Sequence, residues 1–357
     1  MFIDDIKTLR LTGRYFTLDA SQWLHKQPQG LYCEPADCYI DPLHPVEHAL
    51  ITHAHADHAI GGHQSVTATA STLAIMQTRY GEDMAGSTQA VNYHEQITLG
   101  SPNDPVTCVF YPAGHILGSA QILLCYRGTR VVISGDYKRQ SDPTCLPFEP
   151  VPCDVFITEA TFALPVFKHP AIEQEMAKLL DSLAVFPERC HLVGVYALGK
   201  CQRVILALRA IGYTAPIYLH GAQRKLCDLY ECQGIELGEL IDVAEVSDKQ
   251  SLAGNIVLAP PSALSDRWSR TLPNVRRAMA SGWMQIRARA KQRQVELPLV
   301  VSDHCDWQAL LDTIEEVNPN EVWITHGRED ALLHALTQQG RTAQALSMVG
   351  YESDTQD

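Results

Sequence analysis

The stretch Thr52-His53-Ala54-His55-Ala56-Asp57-His58 decides how this chain reads. It follows directly on the apolar run Ala49-Leu50-Ile51-Thr52, which predicts a strand opening into a polar loop. His53 and His55 lie two residues apart, so an extended backbone aims both side chains the same way. Asp57 and His58 are adjacent and can turn to a second point. Four ligand-type side chains within six residues suit two adjacent metal ions better than one. Imidazole nitrogens with carboxylate oxygens favour zinc or a similar first-row ion. The competing reading is a polar turn that holds three histidines by chance.

Two metals need further ligands, and three strand-end loops offer them. His115 sits in Pro112-Ala113-Gly114-His115-Ile116, after the predicted strand Val106 to Tyr111. Asp136 sits in Ile133-Ser134-Gly135-Asp136-Tyr137, after Val131 to Ser134, and His326 sits in Thr325-His326-Gly327, after Val322 to Thr325. Each is a ligand-type side chain in a glycine-flanked loop at a strand end, where a rigid sheet presents reactive groups. Any one alone reads as an ordinary loop residue. Together with residues 53–58 they complete two coordination shells, with Asp136 as the natural bridging carboxylate.

The run His53 to His58, then His115 and Asp136, resembles the metallo-β-lactamase superfamily. Later elements resemble its β-CASP nucleases: Thr158-Glu159-Ala160-Thr161 matches the first CASP motif, Ser302-Asp303-His304 the second and Thr325-His326-Gly327 the third. The resemblance extends from about Leu31 to Asp330. Leu31-Tyr32-Cys33, Tyr39-Ile40-Asp41-Pro42, Gly135-Asp136-Tyr137-Lys138 and Asp142-Pro143-Thr144 are similar to a bacterial subgroup, the ligase-associated DNA damage response exonucleases.

That resemblance implies an α/β (α+β) fold: a four-layered αββα sandwich with an inserted α/β β-CASP cap. The expected boundaries are 1–168 for the first part of the sandwich, 169–296 for the insertion and 297–357 for the return. It implies two zinc ions, with manganese an alternative in either site. One would take His53, His55 and His115, the other Asp57, His58 and His326, with Asp136 between them. Asp41 would orient a ligand from behind. Asp57, Glu159 and His304 would serve the chemistry, and His304 would protonate the leaving oxygen. The reaction implied is phosphodiester hydrolysis by a dimetal-activated hydroxide. DNA is the substrate the subgroup implies, in repair, with functional association to an ATP-dependent DNA ligase and a helicase. RNA is the alternative, because Glu at the first CASP position and His at the third are typical of RNA-processing members. A non-catalytic nucleic-acid scaffold and a small-molecule hydrolase are the remaining readings.

Polyanion machinery tilts the choice toward nucleic acid. Lys138 follows the bridging Asp136, and Gly199-Lys200-Cys201-Gln202-Arg203 predicts a helix start, where backbone N–H groups favour phosphate. Between Arg267 and Arg293 lie eight basic residues and no acidic one, with Trp268 and Trp283 available to stack on bases. Arg276, Arg277, Arg287 and Arg289 are expected to face the metals from the insertion, against the competing reading of a solvated amphipathic helix. His63 reads as a loop or supporting residue; His94, His169, His191 and His220 read as structural or exposed.

The whole chain has 357 residues, 28 Lys+Arg and 41 Asp+Glu, hence a formal charge of −13. That total argues against a binder held on polyanions by bulk charge, but not against a local basic face. The 46% hydrophobic content excludes a largely disordered chain. The 11 cysteines are scattered, without a C-x-x-C pair, and fit reduced, buried thiols in the cytoplasm. The first residues lack the pattern of a secretory signal, and no apolar run reaches membrane-spanning length, so no membrane partner is expected.

Overall fold

The computed structural model describes residues 18–327 and 329–346, so the polar tail from Glu352 lies outside the described residues. The first sheet is built in sequence order from β1 (Leu24–Gln27), β2 (Gly30–Cys33), β3 (Cys38–Ile40), β4 (His48–Leu50), β5 (His63–Thr69) and β6 (Ala85–Val91). Helix α1 (Ala70–Tyr80) follows β5, and Thr69 caps its start by accepting from Thr72 N. The second sheet begins with β7 (Gln96–Ser101), β8 (Asp104–Pro112), β9 (Ala120–Tyr126), β10 (Thr129–Ile133) and β11 (Val155–Ala160).

The chain then leaves the second sheet to form a third. Helix α2 (Ile172–Val185) leads to β12 (His191–Gly194), α3 (Lys200–Ala210), β13 (Ile217–Leu219), α4 (Gly221–Cys232), β14 (Leu240–Asp242), β15 (Ile256–Ala259), β16 (Arg276–Ala280), the short α5 (Arg287–Gln292) and β17 (Leu297–Leu299). These six strands are all parallel, in the order β14-β13-β15-β12-β16-β17. Helix α6 (Trp307–Val317) carries the chain back to β18 (Glu321–Gly327), α7 (Glu329–Gln338) and β19 (Thr342–Ala345). Strand β18 pairs with β11 and β19 with β18, which completes a second sheet ordered β19-β18-β11-β10-β9-β8-β7.

Alternating side chains of the two sandwich sheets meet in one core that includes Leu31, Ile40, Leu50, Phe110, Ile122, Leu124, Val131, Ile157 and Trp323. The outer face of the second sheet (Leu123, Val132, Phe156, Ile324) is covered by Leu310 and Ile314 of α6 and by Leu332 and Leu336 of α7. The outer face of the first (Ala49, Val66, Ala68) packs on Leu73 and Met76 of α1. The layers are therefore helix, sheet, sheet, helix, with the parallel sheet inserted between β11 and β18. The same core continues from α1 into Val204 and Leu208 of α3 and Leu226 of α4, so the insertion shares a hydrophobic contact with the sandwich.

One expected boundary shifts, and one competing reading falls away. Leu297–Leu299 pairs with β16, so the return to the sandwich begins after Leu299 rather than at 297. The basic stretch 267–293 is not one helix; it contributes a 3-10 turn, strand β16, a second 3-10 turn and the six-residue α5. Its apolar residues follow no helical period, and Ala278, Met279 and Ala280 are buried as a strand of the inserted sheet.

Candidate metal centre

The loop after β4 carries His53, His55, Asp57 and His58, and a carboxylate behind it sets their orientation. Asp41, in a left-handed conformation (φ 44°), accepts from Thr52 N (2.7 Å), Thr52 Oγ1 (2.5 Å) and His58 Nδ1 (2.8 Å). The single Thr52 hydroxyl proton goes to Asp41, so Thr52 Oγ1 accepts from His53 Nδ1 at 3.1 Å. His115 Nδ1 donates to Asp303 O (2.8 Å), and His55 Nε2 donates to Leu198 O (3.4 Å). Each imidazole is thereby left with one lone pair on its other nitrogen.

Those lone pairs converge. Asp136 Oδ2 lies 3.4 Å from His53 Nε2, 3.5 Å from His58 Nε2 and 3.6 Å from His115 Nε2. His115 Nε2 and His55 Nδ1 are 3.0 Å apart, two acceptors face to face. That contact is repulsive unless a cation lies between them; two nitrogens on one tetrahedral zinc stand roughly 3.3 Å apart. Buried His53 Nε2 and Asp136 Oδ1 have no hydrogen-bond partner among the described residues. His326 stacks on His58 at 4.7 Å and 8°, and Asp57, His58 and His326 form a second possible metal-holding group. The donor set therefore fits two divalent cations that share Asp136.

Protonation favours the same occupant. Burial pushes His53, His115 and His326 well below the usual imidazole value and His55 down to about 4, so these nitrogens are neutral ligands at pH 7. Burial also pushes His58 down, but Asp136, Asp57 and Asp41 outweigh it and raise it to about 10. Carboxylates strong enough to hold a proton there favour a metal cation at the same point.

Beside this cluster stands a buried pair. Glu159, at the end of β11, accepts from Tyr137 N through Oε1 and from His304 Nδ1 through Oε2, both at 2.8 Å. Burial lowers His304, but Glu159 first and Asp136 second outweigh it and lift the imidazole to about 9. Gly135 (φ 54°) makes the turn into Asp136; a Cβ there would meet Thr52 Oγ1 at 2.7 Å.

All the residues expected around the metals meet in this one place. Those expected on nucleic acid do not. Lys138, Lys200 and Arg203 are 8%, 5% and 5% exposed and are spent on internal partners, so they are not a phosphate-facing surface. Arg276 and Arg277 open β16 opposite His191 and Leu192, the first residues of β12. The far, C-terminal end of β12 leads to Leu198 and the centre, so both arginines lie at the wrong end of the sheet. There Arg276 stacks on Phe186 (4.0 Å) and pairs with Glu296. Arg289 lies 3.8 Å over the ring of Trp283, which packs on Phe162 beside His304; Trp283 is thus already covered on one face. Arg287 is exposed on the same short helix.

The histidines read as structural or supporting hold mostly local roles. Buried His63 accepts from Val46 N, exposed His94 pairs with Glu149, buried His191 bonds Ser182, and His220 caps α4. His169 stacks edge-on against Phe162. Asp303, the acidic residue between Ser302 and His304, also reaches the cluster, its carbonyl accepting from His115 Nδ1. Asp142, in Asp142-Pro143-Thr144, pairs with the buried Arg203.

No family model matches the chain. It is 29% identical over 335 residues to a probable DNA ligase of Opitutus terrae, covering 91% of this chain and 31% of that one. It is 27% identical over 259 residues to an endoribonuclease ysh1 of Aspergillus fumigatus, covering 61% and 29%. Over 148 residues it is 29% identical to cleavage and polyadenylation specificity factor 73 of Drosophila melanogaster, covering 39% and 21%. The chain thus spans about a third or less of these relatives' length. Among solved structures, a protein of unknown function from Enterococcus faecalis aligns with a TM-score of 0.53 at 13% identity, over 87% of this chain and 79% of that one, a likeness of fold.

Proposed function

The relatives and the architecture are consistent with the metallo-β-lactamase β-CASP family, and from that premise we propose a metal-dependent phosphodiesterase that cuts nucleic acid, most specifically a DNA exonuclease acting in repair. The observation that carries this reading is the meeting of two ligand groups at one Asp136 oxygen, with a protonated His304 beside it.

His53, His55 and His115 would hold one zinc ion and Asp57, His58 and His326 the other, with Asp136 shared. When bound, such a pair supplies Lewis acidity and a nucleophile at neutral pH, worth several kcal/mol of transition-state charge stabilisation. The rest belongs to the chain. Asp41 and Thr52 fix the tautomers of His58 and His53, so neither ring turns its N–H toward the cation. Glu159 holds His304 by Nδ1, which leaves Nε2 to carry the proton that a leaving alkoxide needs. Arg287, exposed on the short α5, and Arg289, over the Trp283 ring, would meet the substrate backbone. Functional association with a DNA ligase and a helicase belongs to this reading; the ligase-named relative supports only the ligase part.

RNA is the second reading, supported by the endoribonuclease names of other relatives and by Glu159 and His326 at the CASP positions. A time course on 5′- and 3′-labelled DNA and RNA, with zinc or manganese added to the metal-free chain, separates the two. Faster cutting of DNA from an end supports the first; RNA cut much faster than DNA overturns it. Lactam or thioester turnover with inert oligonucleotides overturns both.

A further inference from the structure

A buried charge network lies against the metal centre, and its members come from both modules. Arg203 and Lys200 stand at the start of α3 in the insertion; Asp303 follows β17, and Asp142 follows β10. Arg203 Nη1 donates to Ser302 O (2.8 Å) and lies 3.1 Å from Asp303 Oδ1; its Nη2 donates to His115 O (3.3 Å), and its Nε pairs with Asp142. Lys200 Nζ is 3.4 Å from Asp303 Oδ2, and Lys138 Nζ donates to Ser302 O at 2.5 Å. Burial pushes the Asp303 carboxyl up, but Lys200, Arg203, His304 and Lys138 outweigh it and hold it at about 2.

Buried ion pairs are weak sources of stability, since desolvation cancels much of their attraction. This network is better understood by what it grips. Asp303 O receives the Nδ1 proton of His115 (2.8 Å), which fixes the tautomer that turns Nε2 toward Asp136. The Arg203 guanidinium holds the backbone on both sides of that contact, at His115 O and at Ser302 O. His304 comes next, its N–H donating to Ser302 Oγ at 3.0 Å.

We propose that Arg203 and Lys200 are positioning residues for the metal centre, acting through Asp303: they lock the loop carrying Asp303 and His304 against the loop carrying His115. The inserted module is then a structural part of the metal site as well as a cover for substrate. This rests on the metal-dependent reading above.

The test measures metal affinity of the full chain by competition with a chromophoric chelator, with the visible spectrum of the cobalt(II) form and a thermal melt as companions. Arg203→Ala would strand Asp142 and Asp303 in the interior, so Lys200→Met, Asp303→Asn and the charge-keeping Arg203→Lys are used. Lys200→Met and Asp303→Asn are each expected to weaken one of the two metals about 10–100-fold, as loss of a ligand's supporting partner does. The cobalt spectrum should change with them, and the other metal should stay. In a His115→Ala background the same substitutions should cost nothing further, because their effect runs through that ligand. Parent-like affinity and spectrum in both variants, or losses that add in full to that of His115→Ala, overturn the proposal. If Asp303→Asn does not fold, Lys200→Met and Arg203→Lys decide alone. A parent chain that binds no metal overturns the functional reading as well; a parent that binds two and loses one on His115→Ala, with the other variants silent, overturns this inference only.

Discussion

His304 Nδ1 sits 2.8 Å from Glu159 Oε2, and the carboxylate is 1% exposed, so a buried negative charge holds a proton on an imidazole that burial alone would strip. An imidazole raised to about 9 is protonated at neutral pH and loses its proton only as pH rises through that value. A general acid must carry the proton it gives, and cations bound at Asp136 offset part of that raise, so cleavage should fall along an alkaline limb that lies at or below pH 9. Glu159→Gln removes the largest raising charge and should move that fall to lower pH; a pH–rate profile with an unmoved alkaline limb contradicts the pairing. His304→Ala should lower kcat by about 10²–10⁴-fold.

Asp136 lies within 3.6 Å of three imidazole nitrogens, and its Oδ1 is buried without a hydrogen-bond partner among the described residues. Asp136→Ala should reduce bound metal from two ions toward one or none, read by elemental analysis. A ligand at 100 times its Kd stabilises the folded state by about 2.7 kcal/mol. A chelator should therefore lower the melting temperature of the parent by several degrees and that of Asp136→Ala by less.

Asp41 answers three donors at once: Thr52 N, Thr52 Oγ1 and His58 Nδ1. Asp41→Ala leaves buried donors unmet, which costs about 1–3 kcal/mol each when uncompensated. It should weaken metal binding about 10–100-fold while every ligand remains in the chain. Chelator competition at equal folded fraction checks this, and unchanged affinity would deny Asp41 its orienting role.

Gly135 combines a φ of 54° with a Thr52 Oγ1 that a Cβ would meet at 2.7 Å. Gly135→Ala should destabilise by about 1–3 kcal/mol from backbone strain alone. Because Thr52 also bridges Asp41 and His53, metal affinity should fall with stability. Denaturant melts beside metal titrations read both.

Arg276 and Arg287 separate a structural arginine from a surface one. Arg276 is stacked on Phe186 and paired with Glu296 at the end of β16 away from the centre. Arg276→Ala should cost stability and leave KM for an oligonucleotide near the parent value. Arg287→Ala should raise KM at low salt and reduce the salt slope of binding by about 1. The reverse pattern would return the basic face to β16.

The candidate ligand cluster was legible in the sequence because metal chemistry is local in type: His53 to His58 sit in one short loop, and His115, Asp136 and His326 each end an apolar run. The strands β8, β10 and β18 were legible for the same reason, as apolar runs, and the start of α3 from the run Gly199 to Arg203. The roles of the basic residues were not. Charge counts cannot tell an arginine facing solvent from one buried against Asp142 and Asp303, as Arg203 is. Nor does composition say which end of a parallel strand faces the site, and that direction alone removes Arg276 and Arg277. The edge of the insertion was misplaced because Leu297–Leu299 is a strand in either assignment; only its pairing with β16 decides.

The parallel pairing of β11 with β18 joins Val155 to Glu321, and the whole third sheet lies between them. Closing so long a detour is thermodynamically mild, since each doubling of loop length costs only about 0.6 kcal/mol. In time it is decisive. A nascent chain made as far as β11 already contains His53, His55, Asp57, His58, His115, Asp136 and Glu159, but His304 and His326 have not yet been synthesised. The candidate ligand His326 and the Glu159–His304 pair therefore arrive last, and the proposed metal centre cannot be completed on a chain still lacking its insertion.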